Sequence, residues 1–86
     1  MAPHQERVVA EKADLDVKLG ALYIFIAGPV FADLDPDEQT RLRAQLDAMT
    51  DYSKILGARI AAFVVPAIEA LNTLHAGTFT QQTVQP

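Results

Sequence analysis

The chain has 86 residues, seven Lys and Arg against eleven Asp and Glu, a net charge of −4 and no cysteine. A chain this short makes one domain with a barely sufficient core, and the missing thiols exclude disulfides and thiolate metal sites. The acidic balance argues against a nucleic-acid polymer as partner, since phosphate contacts call for a basic face. Arg41, Arg43, Lys54 and Arg59 are interleaved with Asp47 and Asp51.

The opening residues Met1 to Arg7 have no apolar stretch behind their charges, so no secretory signal is expected. Helix 1 is predicted from Pro3 to Ala27. Val8, Leu15, Leu19, Leu22 and Ile26 recur at helical-seam spacing, with Lys12 filling the vacant position. The exposed face carries Arg7, Glu11, Asp14 and Lys18, with Asp14 and Lys18 in the favourable i,i+4 order. Gly20 costs about 1 kcal/mol relative to Ala; it permits close approach of a backbone or ligand, or is a plain surface glycine. Gly28-Pro29 ends the helix, with Gly28 suited to the left-handed C-terminal position. The run Ala21–Ala32 is broken there and falls short of the roughly 20 apolar residues of a membrane span. A cytoplasmic chain with no membrane partner is expected.

Helix 2 opens with Asp35 as N-cap, Pro36 at the first helical position and Glu38 completing a capping box. Phe31 and Leu34 are expected to fold back over the hairpin end. Leu42, Leu46, Met49, Leu56, Ile60 and Phe63 make the second seam, interrupted only by Ser53, whose hydroxyl suits the backbone one turn earlier. Helix 2 should run to about Val65, where Pro66 ends or kinks it. A short third helix, Ala67 to His75, closes at Gly77, and Thr78 to Pro86 form a polar tail.

These elements predict an all-α fold: an antiparallel two-helix hairpin with a short C-terminal helix over residues 1–77, followed by the tail 78–86. Leu22 to Ile26, and Phe63, Val64, Val65, Ile68 and Leu71, are apolar on more faces than one seam covers. A subunit interface through residues such as Ile24, Phe25, Val64 and Val65 would bury them, making the chain a homo-oligomer. The third helix folding back over them is the alternative.

The parts of common catalytic sites are missing. Asp33, Asp35 and Asp37 alternate like the start of a calcium loop, but Glu38 and Ala44 stand where Gly and Glu are needed. His4 and His75 lack metal-ligand spacing. No serine neighbours a histidine in sequence and no glycine-rich phosphate loop is present. No cofactor and no catalytic activity are expected.

The string from His4 to Ile26, with Glu38, Gln39, Leu42, Gln45, Leu46, Met49, Tyr52, Leu56, Arg59 and Ile60, resembles a family of small phage proteins named after a protein of a crAss-like phage. That family is distantly similar to the phage helical-hairpin sponges that counter CBASS immunity by sequestering cyclic oligonucleotides at subunit junctions. The resemblance implies a non-catalytic counter-defence protein in the infected host cell that binds a cyclic di- or trinucleotide. His4 stands in the place of the sponges' aromatic, and Lys18-Leu19-Gly20 resembles their Lys before Gly. A cyclic dinucleotide needs cationic donors and a flat face for each base, and a symmetric interface duplicates every side chain. The candidate ligand residues are His4, Arg7, Lys18, Tyr52 and Arg59; Tyr23 has suitable chemistry but reads better as interface packing. The alternative function is a small helical interaction module that docks on a host or phage protein. An accessory DNA-binding role suffers from the acidic charge.

Overall fold

The computed structural model describes residues 1–79. It contains α1 (Pro3–Ile26), a single-turn helix α2 (Pro29–Ala32) and a long α3 (Pro36–Phe79), with α1 packed on α3. The all-α architecture is therefore observed. The molecule measures 67 × 30 × 14 Å, one helix layer thick.

The seam follows the predicted spacing. On α1, Val8 is buried and Lys12, Leu15, Leu19, Leu22 and Ile26 are half-buried. On α3, Leu56 is buried, with Leu42, Leu46, Met49, Ser53, Ile60 and Phe63 half-buried. The two polar seam positions meet. The Lys12 ammonium donates to Asp16 Oδ2 at 2.7 Å and to Ser53 Oγ at 3.2 Å, and the Ser53 hydroxyl donates to Asp16 Oδ1 at 2.5 Å. Ser53 thus binds across the hairpin rather than to its own backbone, because a charged pair on α1 offers stronger partners. The i,i+4 ion pair on α1 is therefore Lys12–Asp16 rather than Asp14–Lys18. Gly57 accommodates the lysine stem, since a Cβ there would lie 3.3 Å from Lys12 Cε.

Lys12 first, and Ser53 second, hold the Asp16 carboxyl below its ordinary range. A lowered folded-state pKa contributes stability that is complete above the unfolded value of about 3.9 and is lost as pH falls through the folded value. Asp16→Asn is therefore expected to remove this part of the acid destabilisation, seen as a flatter dependence of the urea midpoint on pH below about 4.

The corner between the long helices differs from expectation. Gly28 has φ −96° and ψ 173°, extended rather than left-handed. Pro29 follows it, and proline biases the preceding residue toward extended backbone; Gly28 therefore starts α2 rather than capping α1. Phe31 is buried, edge-on to Phe25 with ring centroids 6.3 Å apart, and carries the Arg43 guanidinium 4.9 Å from its own centroid. The Gln39 amide donates to the carbonyls of Phe31, Ala32 and Leu34.

Asp35 caps α3 by accepting from the Asp37 N–H at 3.0 Å. Glu38 does not complete a capping box; its carboxylate takes the Arg41 side chain at 2.8 Å, one turn along the same face. Asp35→Ala should cost about 0.5–2 kcal/mol, read as a lower thermal midpoint. A mutant of wild-type stability would place the helix start elsewhere.

The separate third helix is corrected. α3 continues through Pro66 and past Gly77 to Phe79. A proline removes one i→i−4 hydrogen bond, but Ile60, Val64, Ile68 and Leu71 keep helical spacing across it, so a common face continues. Thr78 and Phe79 belong to this helix, and the remaining tail residues, 80–86, lie outside those described.

Candidate functional site

Arg7, Glu11, Asp14 and Lys18 recur at steps of 4, 3 and 4 and share one face of α1. With Ala10, Leu15 and, from α3, Tyr52, they line a surface groove of ≈ 490 Å³. Arg7 and Lys18 stand eleven residues apart, about 16 Å along the helix. The two acids lie between them. The Tyr52 hydroxyl bonds to Glu11 across the groove, fixing the ring at its wall. Three of the five candidate residues therefore come together.

His4 and Arg59 do not line this groove. Their placement follows from the antiparallel register. The Glu11–Tyr52 bond sets level partners, and steps of seven residues keep the same flank. One step toward the chain start makes His4 level with Arg59; one step the other way makes Lys18 level with Gln45. Gln45, Tyr52 and Arg59 are all exposed, so the polar residues of α3 and the candidate residues of α1 mark one flank. On it Arg7, Lys18 and Arg59 outweigh Glu11 and Asp14, against a net charge of −4 for the chain.

The acids of the groove were legible only as solvated helix charges, since nothing local shows that Tyr52 reaches Glu11. Chemically, the groove offers cations at its ends, an aromatic wall and carboxylate acceptors between. That set suits a small molecule with separated negative charges and hydrogen-bond donors, such as hydroxyl or amino groups. Its volume lies within the usual range for small-molecule sites. Tyr23 is 65% exposed and takes no part.

A second depression, ≈ 360 Å³, lies at the open end of the hairpin. It is lined by Met1, Gln5, Phe63, Val64, Ile68 and Leu71, and is mainly apolar. Among the described residues, no helix is long and apolar enough to cross a membrane.

The Sequestin family model matches residues 2–62. The chain belongs to the Sequestin family. The matched segment contains α1, α2 and α3 as far as the seam's last turns, and it includes His4, Arg7, Lys18, Tyr52 and Arg59. The Sequestin name is compatible with a sequestering role. The segment from Phe63 onward, with most of the apolar depression, lies beyond the Sequestin match. The chain matches no curated protein and no solved structure.

Proposed function

We propose that this protein is a non-catalytic sponge that binds and sequesters cyclic oligonucleotide immune signals, in the manner of phage anti-CBASS proteins, and works as a homo-oligomer in the infected cell's cytoplasm. The observation that carries this is the meeting of Arg7, Lys18 and Tyr52 in one groove. Membership of the Sequestin family supports the sequestering half of the reading. The cations would meet phosphates, Tyr52 would flank a base, and Asp14 would accept from an amino or hydroxyl donor. His4 and Arg59 extend the same flank beyond the groove.

Thermal unfolding with a panel of cyclic di- and trinucleotides tests this. At a ligand excess of about 100 times Kd the stabilisation should be about 2.7 kcal/mol, a midpoint rise on the order of 10 °C for a chain this short. Linear dinucleotides should do less, since they pay the ordering entropy that cyclisation removes. Lys18→Ala and Arg7→Ala should each weaken binding about tenfold or more, the loss expected for a charge-assisted hydrogen bond. Recovered nucleotide should be intact on chromatography; cleaved product would make the protein an enzyme. No shift across the panel would favour the second reading, a helical module that docks on another protein. The apolar depression around Phe63, Val64, Ile68 and Leu71 is the observation in its favour.

A further inference from the structure

The groove and the polar part of the seam are neighbours along both helices. Glu11 and Lys12 are adjacent on α1, and Tyr52 and Ser53 are adjacent on α3. The Glu11–Tyr52 bond forms the groove wall, while Lys12 and Ser53 meet at 3.2 Å beside it. Asp16, one turn from Lys12, closes a loop by accepting from the Lys12 ammonium at 2.7 Å and from the Ser53 hydroxyl at 2.5 Å. Both bonds that carry this loop between the helices end on Ser53 Oγ. Lys12 Cε lies 3.3 Å from where a Cβ on Gly57 would stand, so the bare glycine lets the lysine stem lie close on α3.

The loop acts on the groove through one residue. Arg7, Ala10, Glu11, Asp14, Leu15 and Lys18 all belong to α1, and a single helix holds them in fixed relation whatever packs against it. Tyr52 is the contribution of α3 to the described lining. Its ring reaches the groove only if α3 has the right height and rotation against α1. Apolar contacts along the seam are non-directional and follow buried area, so they settle that position coarsely. Hydrogen bonds weaken steeply outside a narrow range of length and angle. The loop's bonds, meeting one residue from Tyr52, settle it finely. For stability alone they offer little, because replacing both partners of such a bond by apolar groups of like shape is close to neutral.

We infer that Lys12, Asp16 and Ser53 are positioning residues for the ligand: they set the height and rotation of α3 that bring the Tyr52 ring to Glu11, and so pre-form the flat wall on which a base stacks. The inference rests on the proposed function for its ligand and deepens it, since no member of the loop lines the groove. A wall ordered in advance takes nothing from the ligand's binding energy.

Tyrosine fluorescence of the full chain tests the placement without nucleotide. The chain has two tyrosines and no tryptophan, so Tyr23→Phe leaves Tyr52 as the emitter; Tyr23 lies outside the groove lining. A phenol bonded to a carboxylate is quenched, and Glu11→Ala in this background gives the emission of the released ring. Ser53→Ala, which deletes one oxygen from a half-buried helical position, should raise Tyr52 emission most of the way to that level with helical circular dichroism unchanged. Lys12→Met together with Ser53→Ala should do the same while the urea midpoint stays near that of the parent, which separates placement from stability. Ser53→Thr, which keeps the hydroxyl, should keep the parent's emission. For a cyclic nucleotide that raises the parent's thermal midpoint, affinity should fall about tenfold in both variants that carry Ser53→Ala, the worth of one base stacked on an aromatic face. It should hold in Ser53→Thr. Parent-level emission in Lys12→Met with Ser53→Ala, or raised emission with undiminished affinity, would overturn the inference. A panel in which no nucleotide binds overturns the sequestering reading, while emission still decides whether the loop places Tyr52.

Discussion

Leu56→Ala is expected to lower the unfolding free energy by about 2–5 kcal/mol. Leu56 has 0% exposure, the only side chain this completely enclosed among the described residues. A hairpin has few atoms available to relax into the space left behind, so most of the cavity penalty should persist. At roughly 4–8 °C per kcal/mol for a chain of this size, the thermal midpoint should fall by about 10 °C or more. Urea unfolding followed by circular dichroism should show a lower midpoint at unchanged slope, the mark of lost stability rather than altered compactness. Ile55→Ala is the comparison: Ile55 neighbours Leu56 but is 57% exposed, and its truncation should stay within about 0.5 kcal/mol in the absence of assembly. Equal effects at the two positions would show that the α1–α3 seam is misassigned.

Phe31→Ala should cost about 3–5 kcal/mol, for a different reason. Phe31 is the buried residue that joins the corner to both long helices, through the Phe25 edge contact on one side and the Arg43 guanidinium on the other. Phe31→Leu retains most of the burial but loses both aromatic interactions, and should cost about 1–2 kcal/mol. Gln39 binds backbone carbonyls at the corner, a contact that survives either substitution. The loss should therefore fall on packing. Hydrogen exchange is expected to accelerate most at the amides of Ile26 to Leu34. Uniform acceleration along α1 would instead make the corner part of a single cooperative unit.

Much of the fold is legible because one seam writes itself into spacing. Val8, Leu15, Leu19, Leu22 and Ile26 on one helix, and Leu42 through Phe63 on the other, need only a period of about 3.5 to be found. Asp35 and Pro36 mark the start of α3 by local chemistry alone. The departures come where local rules meet tertiary partners. Glycine's tolerance of positive φ suggested a left-handed Gly28, but the proline after it decides the backbone. Gln39 is an ordinary helical residue until three carbonyls of the corner converge on it. Pro66 breaks a helix by propensity, yet sits within one whose apolar face continues on both sides.

The candidate site was partly legible for the same reason. Arg7 and Lys18 share a face by arithmetic. That Tyr52 joins them depends on register, which a single helix does not contain. One signal was available: Lys12 and Ser53 are the two seam positions not filled by an apolar residue, and pairing them sets the alignment that brings Tyr52 to Glu11.

The closed loop of Lys12, Asp16 and Ser53 has a consequence for misassembly. A seam filled only with leucine-like side chains would tolerate several alignments, each one heptad from the next, and would also accept many foreign helices. A slip of seven residues here sets Lys12 level with Leu46 or Ile60 instead of Ser53. Either alignment keeps the Lys12–Asp16 pair, which lies within α1, but sets it beside hydrocarbon and removes the Ser53 hydroxyl that both groups use, a loss of about 1–3 kcal/mol. Sliding and indiscriminate helix pairing are thereby penalised while the chain is still finding its hairpin, before the groove or any interface between copies exists.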